Sequence, residues 1–303
     1  MNGEFLNIIL IIALGYLLKR FNILQEKDGA VIAKLIFKVT LPALVIVTFN
    51  TVQLEPSLIV LPMIVLLYGV ATAALGLLVF KNEERELKGS FLMLSSGWNV
   101  GLFAFPLIFA IWGMYGITYF GMYDVGASFI VFGVAYILGS YFSEAGLSLK
   151  PIGIVKKLLT SIPLMTYIIA MTLNYSNILL PESFINMAEI ISAANVPLSL
   201  LLLGIYLNFR FEKQFIRPVL KFLTFRYSLG LLVGVSLYFL LPYDEMFRYT
   251  IMIGLLLPVA ASPLAFAVEF NYSTNSIRLI ATISNITIMV SIVILYLFSN
   301  FIL

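Results

Sequence analysis

Ten long apolar runs, separated by short charged or polar connections, make up most of this chain of 303 residues. A helix needs about 20 apolar residues to cross the hydrocarbon core of a bilayer. Backbone groups inside that core must bond to one another, which an α-helix achieves within one segment. The sequence therefore predicts an all-α integral membrane protein with ten transmembrane helices, at residues 4–19, 30–50, 57–80, 89–111, 123–142, 158–175, 184–207, 222–241, 248–269 and 277–301.

The composition supports this prediction and narrows the possible chemistry. Hydrophobic residues make up 61% of the chain and charged residues 11%, whereas soluble proteins carry roughly 25% charged residues. The first apolar run lacks the basic segment and the small-residue cleavage site of a signal peptide, so we expect no cleavage. The chain contains no cysteine and no histidine. We therefore expect no disulfide, no metal site of thiolates or imidazoles, no histidine proton relay and no cofactor.

The basic residues are distributed very unevenly among the connections. Seventeen of the 18 lysines and arginines, Arg226 among them, lie in the odd-numbered connections or at the span edges beside them. Only Arg248 lies in an even-numbered connection. Connections rich in lysine and arginine stay in the cytoplasm. We therefore predict a multi-pass protein of the plasma (inner) membrane, with cytoplasmic odd-numbered connections and both termini extracellular or periplasmic.

Two apolar runs carry prolines at corresponding places in the two halves of the chain. Pro106 in the fourth run and Pro263 in the ninth lie 157 positions apart, and Pro258 precedes Pro263 by five. The segments 40–44 and 195–199 correspond at an offset of 155. Because each half has an odd number of spans, the second half enters the membrane inverted. We predict an inverted 5+5 repeat, with halves 1–145 and 146–303, whose matching interrupted spans mark a transporter binding site.

The interrupted spans are expected to unwind and cross at mid-membrane. A proline inside a helix costs about 3 kcal/mol because it removes one hydrogen bond and clashes with the preceding turn. Gly97 and Gly101 precede Pro106 and permit unwound backbone. The N-terminal ends of the resulting half-helices favour a carboxylate, and their C-terminal carbonyls favour a cation. The alternative is that the prolines only kink two continuous helices.

Polar side chains near the interruptions are the candidates for contact with a ligand. Asn99 lies seven residues before Pro106, nearly on the same helix face, and its amide can donate to an anion. Asn285 corresponds to Ser128 of the fifth span at the offset of 157. The serines could instead form bonds between helices. The predicted substrate-binding residues are Asn99, Gly101, Pro106, Pro258, Ser262, Pro263 and Asn285.

Asp124 is the candidate for ion coupling. It opens the predicted fifth span, beside Gly121 and Gly126, with no basic residue close in sequence. An acid inside or at the edge of a membrane is a functional candidate by default. We hypothesise that Asp124 carries a coupling proton or contacts a coupling cation, H⁺ or Na⁺. The alternative is an acid at a helix N-terminus, stabilised there by the helix dipole.

The motifs around the interrupted spans resemble those of the auxin efflux carrier family, which includes bacterial small-organic-acid permeases and plant PIN-type auxin carriers. The spacing from Asn99 to Pro106 is similar to the fourth-span pattern of the family. The segment 257–271 is similar to its ninth-span signature, and 41–44 to its second-span motif. Val259 stands where plant carriers have a glutamine, and the connection after the fifth span is short. A bacterial-type permease for small carboxylates is therefore favoured over an auxin carrier.

The resemblance implies a fold in which spans four and nine cross. It assigns residues 1–56 and 152–210 to a scaffold and residues 57–145 and 220–303 to a transport domain that slides in an elevator-like motion. It implies small organic anions, such as malonate- or auxin-like acids, as substrates. The expected partners are this substrate and the lipid bilayer, without nucleic acid. A homodimer through the scaffold helices is an open option.

Four other functions are alternatives to an organic-anion carrier of this family. A sodium-coupled bile-acid-type symporter would share the crossing, and a non-transporting sensor of small acids would share the whole fold. A channel is less favoured because continuous rings of charge are absent. An enzyme is not expected: Tyr123-Asp124 is similar to half of an aspartyl membrane protease site, but Asp28 and Asp244 lie in connections.

Overall fold

A computed structural model describes residues 2–52, 54–144, 151–209 and 212–302 of the chain. Within these ranges all regular elements are helical. The predicted boundary between the two halves, at 145/146, lies outside the described residues, as do Lys150 and Arg210 of the connections predicted to be cytoplasmic.

In the first half, the described residues form seven α-helices joined by short turns of other helical types. The α-helices are α1 (Asn2–Arg20), α2 (Glu26–Leu35), α3 (Leu41–Thr51), α4 (Val60–Val79), α5 (Arg85–Ser95), α6 (Phe105–Phe129) and α7 (Tyr136–Phe142). Wider π-helical turns occur at Ile36–Thr40, Val100–Ala104 and Ile130–Ala135, and a 3₁₀ turn at Pro56–Ile59. The π-helical turns keep α2 continuous with α3, and α6 with α7.

Eight α-helices lie in the described part of the second half. They are α8 (Pro151–Leu159), α9 (Ile162–Tyr175), α10 (Glu182–Ser192), α11 (Asn195–Tyr206), α12 (Ile216–Leu240), α13 (Glu245–Gly254), α14 (Ser262–Glu269) and α15 (Thr274–Ile302). A 3₁₀ turn at Lys213–Phe215 leads into α12. The short helices α13 and α14 occupy the predicted ninth span, as α5 and the start of α6 occupy the fourth.

Six helical stretches of the described residues are long and apolar enough to cross a membrane. They are Glu26–Thr51, Pro56–Val79, Val100–Phe142, Glu182–Tyr206, Lys213–Leu240 and Thr274–Leu297. Helix α9 is apolar but has only 14 residues. Spans four and nine are interrupted and divided among shorter helices, which reduces the number of helices long enough to count as membrane spans. A multi-pass membrane protein is supported, while the count of ten spans stays a prediction.

The chain reverses direction at Gly113, between the predicted spans four and five. Gly113 has φ 58° and ψ −149°, a conformation that is practically limited to glycine. A Cβ atom at Gly116 would lie 2.7 Å from Cγ2 of Ile108, whereas eight residues of straight helix span about 12 Å. The two arms of α6 therefore pack side by side.

This reversal corrects the predicted start of the fifth span. The helix resumes at residue 114 rather than at 123. Asp124 therefore lies well inside a helix, and the prediction that it opens the span is wrong. The interpretation of Asp124 as an acid at a helix N-terminus fails with it, because the helix begins at residue 114, ten residues and more than two turns before Asp124.

Helices α1 and α11 pack closely at a pair of glycines. A Cβ atom at Gly15 would lie 2.2 Å from the carbonyl oxygen of Leu201, and one at Gly204 would lie 2.0 Å from that of Ile12. Small residues allow membrane helices this close an approach, which maximises van der Waals contact. Spans one and seven, both assigned to the scaffold by resemblance, are thus in direct backbone contact.

Two positions that correspond in the proposed repeat touch each other. Nδ2 of Asn195 donates to Oγ1 of Thr40 at 3.1 Å, and both residues are buried. They are separated by the offset of 155 that aligns the two motifs. Symmetry-related residues meet in this way only near an axis of symmetry. The contact favours an inverted repeat, which itself stays a prediction.

The predicted orientation can be tested with single cysteines, because the natural chain has none. Glu84→Cys lies in the exposed connection between α4 and α5, and Ser176→Cys in the exposed connection between α9 and α10. A membrane-impermeant maleimide added to intact cells should label Ser176→Cys only, since the positive-inside rule puts Glu84 in the cytoplasm. Permeabilised cells should show both labels. Labelling of only Glu84→Cys in intact cells would reverse the orientation.

Candidate functional site

The two predicted interruptions are gaps between helices, and the gaps meet. Helix α5 ends at Ser95 and the chain becomes helical again at Val100. Helix α13 ends at Gly254 and α14 begins at Ser262. The N–H of Asn99 in the first gap donates to the carbonyl of Pro258 in the second at 2.9 Å. The two unwound segments are therefore bonded to each other.

The first gap lies before Pro106 rather than at it, which corrects the sequence interpretation. Pro106 is the second residue of α6, and Gly101 already lies in the helical turn before it. In this π-helical turn the N–H of Phe105 bonds to the carbonyl of Val100. A π-helical turn is a usual way to absorb irregular bonding inside a helix. Pro106 thus needs no unwound backbone.

The prolines of the second interruption have different surroundings. Pro258 lies in the unwound segment itself. Pro263 is the second residue of α14, in the first turn of the helix, where the missing N–H would have no helical partner anyway.

Asn99 caps the half-helix that follows the first gap. Its Oδ1 accepts from the N–H of Leu102 at 3.3 Å, and the residue is 7% exposed. Its Nδ2 donates to no atom of the described residues. Because the amide oxygen is held by the backbone, the NH₂ group is the end that remains for a ligand.

A cavity of about 730 Å³ brings together three of the predicted site residues. It lies between α2 and α11 on one side and α14 and α15 on the other. Its wall includes Asn99, Ser262 and Asn285, and it extends to the exposed Glu26 and Lys27. The interruption is thus connected to the surface that we predict to be cytoplasmic.

A second cavity of about 50 Å³ shares two of these residues. Asn99 and Ser262 line it together with Gly101 and Asp124. A space of this size is enough for a water molecule. None of the three prolines, Pro106, Pro258 and Pro263, lines either cavity.

Ser262 and Asn285 differ in what they can offer to a ligand. Ser262 is half-buried, and its hydroxyl has no partner among the described residues. Asn285 accepts from the N–H of Asn208 and donates to the carbonyl of Ala281, both at 3.0 Å. Its amide is therefore occupied by the protein and connects α15 to the segment after α11.

Asp124 is buried and hydrogen bonded. It is 8% exposed and accepts from the hydroxyl of Tyr167 at 2.8 Å. Tyr167 lies on α9 and is fully buried. The bond joins residues that the resemblance assigns to the transport domain and to the scaffold.

Arg226 is a residue whose role the sequence interpretation missed. It lies inside α12 and is 3% exposed, so its assignment to a cytoplasmic span edge is wrong. Its guanidinium donates to five carbonyls around the two gaps, those of Leu94, Ser95, Gly97, Leu257 and Pro258. The available signal was its position within the predicted span 222–241, where a charged residue is a functional candidate by default. Without Arg226 the predicted orientation still rests on 16 basic residues against one.

The described residues offer no obvious metal site. No group of three or more aspartate or glutamate side chains is arranged to hold a metal ion in that part of the chain. The charged groups of the two cavities are Asp124 in the small one and Glu26 and Lys27 at the exposed end of the large one. The other polar groups of the candidate site are amides, hydroxyls and backbone groups.

Comparison with known proteins gives a consistent result. Residues 3–151 match the model of a family described as membrane transport protein. An uncharacterized transporter of Methanothermobacter thermautotrophicus is 20% identical over 292 residues, which are 95% of this chain and 94% of that protein. An uncharacterized transporter of Methanocaldococcus jannaschii is 24% identical over 212 residues, 66% of this chain and 67% of its own.

The cavity predicts different reactivities for two engineered thiols. Ser262→Cys lines the large cavity, whereas Ser96→Cys replaces a serine that is fully buried and bonded to the carbonyl of Leu92. A water-soluble maleimide should react with Ser262→Cys at least about tenfold faster, because a thiol must be exposed and ionised to react. The rates are measured on purified protein by mass spectrometry. Equal rates would mean that water does not reach Ser262.

Proposed function

We propose that the chain is a secondary transporter that carries small organic anions across the plasma membrane. The match of residues 3–151 to the membrane transport protein family, together with the two similar transporters, supports the resemblance drawn from the sequence motifs. The observation that carries the choice of substrate is the amide of Asn99, whose NH₂ group has no partner among the described residues and lies in the wall of the large cavity.

The polar groups near the crossing are mainly hydrogen-bond donors, which supports an anionic substrate. Asn99 contributes Nδ2, and the half-helix that it caps begins with unpaired N–H groups and a positive partial charge. Ser262 contributes a free hydroxyl at the N-terminus of α14. In the large cavity the only carboxylate among the described lining residues is that of Glu26, next to Lys27 at the exposed end.

The dimensions and the apolar lining of the cavity support a small molecule with an apolar part. A volume of about 730 Å³ falls in the range of roughly 300–1,000 Å³ that is usual for small-molecule sites. The side of the cavity formed by the scaffold segments of the two repeats is lined by Phe37, Leu202 and Leu203. Both malonate-like and auxin-like acids remain within this class.

An elevator-like cycle is the mechanism we propose. The large cavity lies between α2 and α11, assigned to the scaffold, and α14 and α15, assigned to the transport domain. Asn99 and Ser262 both belong to the segments assigned to the transport domain, so a substrate bound to them would move with that domain. Hydrogen bonds that cross this boundary include Tyr167 to Asp124 and the Asn208 backbone to Asn285. These bonds would have to break and re-form during transport.

Transport and the role of Asn99 are tested together in proteoliposomes. We expect saturable uptake of radiolabelled malonate or indole-acetate, well beyond one substrate per protein, which a sensor would not give. Asn99→Ala should reduce uptake roughly tenfold, since a hydrogen bond to a charged group contributes about 1.5–3 kcal/mol. Asn275→Ala, on the exposed start of α15, is the matched control and should transport normally.

The outcomes separate the parts of this proposal. Uptake that is unaffected by Asn99→Ala would retain the transporter and move the substrate site. Failure to transport any small carboxylate under pH or sodium gradients would contradict the organic-anion assignment.

Proton coupling through Asp124 is tested with a pair of variants. Asp124→Asn should abolish stimulation of uptake by a pH gradient, because the amide cannot take up and release a proton. Tyr167→Phe removes the hydroxyl that donates to Asp124 but keeps the carboxyl, so stimulation should persist. The measurement is initial uptake with and without an imposed gradient. Persistent stimulation in Asp124→Asn would exclude this residue as the coupling group.

A further inference from the structure

Backbone carbonyls of both interrupted spans converge on one guanidinium group. Nη1 of Arg226 donates to the carbonyls of Leu94 at 3.1 Å and Ser95 at 3.3 Å. Nη2 donates at 3.0, 2.9 and 3.4 Å to the carbonyls of Gly97, Leu257 and Pro258. One side chain from α12 therefore connects the end of α5 with both unwound segments.

These carbonyls need a positively charged or donating partner. Leu94 and Ser95 lie in the last turn of α5, where the helix carries a negative partial charge. Gly97, Leu257 and Pro258 lie in the gaps, where no helical N–H is available to their carbonyls. The carbonyl of Pro258 also accepts from the N–H of Asn99 at 2.9 Å, so Arg226 matters most for those of Gly97 and Leu257. A carbonyl that is buried without a partner is costly, and most costly inside a membrane.

The positive charge of Arg226 is balanced by these dipoles rather than by an acid. The side chain is 3% exposed. No carboxylate oxygen of the described residues lies within 4.0 Å of its nitrogens. The ring of Trp98 lies 5.9 Å from its guanidinium carbon, a distance at which the face of an indole attracts a cation.

Arg226 is also separated from the proposed substrate. It lines neither the cavity of about 730 Å³ nor that of about 50 Å³. All of its carbonyl partners lie in the segments 57–145 and 220–303, which are assigned to one moving domain. It is therefore a positioning residue, which holds the crossing in shape and does not bind the anion.

In secondary transporters, unwound carbonyls and the C-terminal ends of half-helices commonly bind the coupling cation. We infer that Arg226 is a built-in cation that occupies this place, so that the crossing is assembled and transport proceeds without bound Na⁺. This inference deepens the proposed function, on which it rests, because it decides against a sodium-coupled symporter.

The geometry explains why the cation is an arginine. The two terminal nitrogens of a planar guanidinium point in separate directions, and here one serves the end of α5 and the other serves the gaps. A lysine has a single ammonium group with three donors and cannot reproduce this fork. It would retain the charge but not the full set of bonds.

The first test needs no substrate and uses the natural protein. Its melting temperature in detergent is measured in Na⁺, in K⁺ and in N-methylglucamine at equal ionic strength. We expect the same value in all three, because no Na⁺ site exists at the crossing. A melting temperature that rises specifically with Na⁺, saturably, would overturn the inference.

The second test replaces the built-in cation. Arg226→Ala should melt at a lower temperature than the natural protein, and added guanidinium or Na⁺ should raise its melting temperature by occupying the vacated carbonyls. Arg278→Ala is the control, since Arg278 forms an exposed ion pair with Glu212 and should show no such response. A folded Arg226→Ala that responds to neither cation would overturn the inference.

Two further measurements complete the test. If Arg226→Ala does not fold, Arg226→Lys replaces it and should keep a melting temperature that is independent of Na⁺. Sodium-dependent stability in this variant would count against a built-in cation.

In proteoliposomes, uptake by the natural protein should be equal with and without Na⁺. Uptake by Arg226→Ala should be reduced roughly tenfold or more, and guanidinium should partly restore it. Uptake that requires Na⁺ would overturn the inference, whereas absence of all uptake overturns only the proposed function, since the melting experiments do not depend on it.

Discussion

A backbone carbonyl that leaves a helix inside a bilayer must find a donor, and the architecture of this protein depends on how two interrupted spans meet that demand. The N–H of Asn99 serves the carbonyl of Pro258, and Arg226 serves carbonyls on both sides of the crossing. With those groups satisfied, the half-helices can end and begin in the interior. The cavities lined by Asn99 and Ser262 exist because these ends are stable there.

In the proposed transporter, the candidate site would separate recognition of the carboxylate from recognition of the apolar part of the substrate. The free donors, Nδ2 of Asn99 and the hydroxyl of Ser262, belong to segments assigned to the moving domain. The facing wall on α2 and α11 is largely apolar, with Leu202 and Leu203 among its residues. Differences in the apolar wall would then alter which acid fits, while the means of holding a carboxylate stays the same.

The helical class, the two interruptions and the position of Asn99 and Ser262 beside them were predictable. Lipid leaves few structures open, and glycine and proline mark irregular backbone. The site of the first gap was not predictable, since a π-helical turn absorbs Pro106 and no sequence rule marks such turns. The turn at Gly113 could not be predicted either, because the sequence around it contains many other small residues. Arg226 was misassigned because a basic residue near the start of an apolar run has the same appearance whether it faces water or is buried. Asn285 lines the large cavity, but only coordinates reveal that its amide is already bonded to Asn208 and Ala281.

The reversal at Gly113 has a mechanical consequence. Because a single residue makes the turn, no slack exists between the arm that starts at the crossing and the arm that carries Asp124. The two arms form one tight hairpin, and its second arm places Asp124 in the wall of the same small cavity that Asn99 lines at the start of the first arm. The acid that accepts from Tyr167 and the amide that caps the half-helix therefore share one space, and a turn of a single residue fixes their spacing.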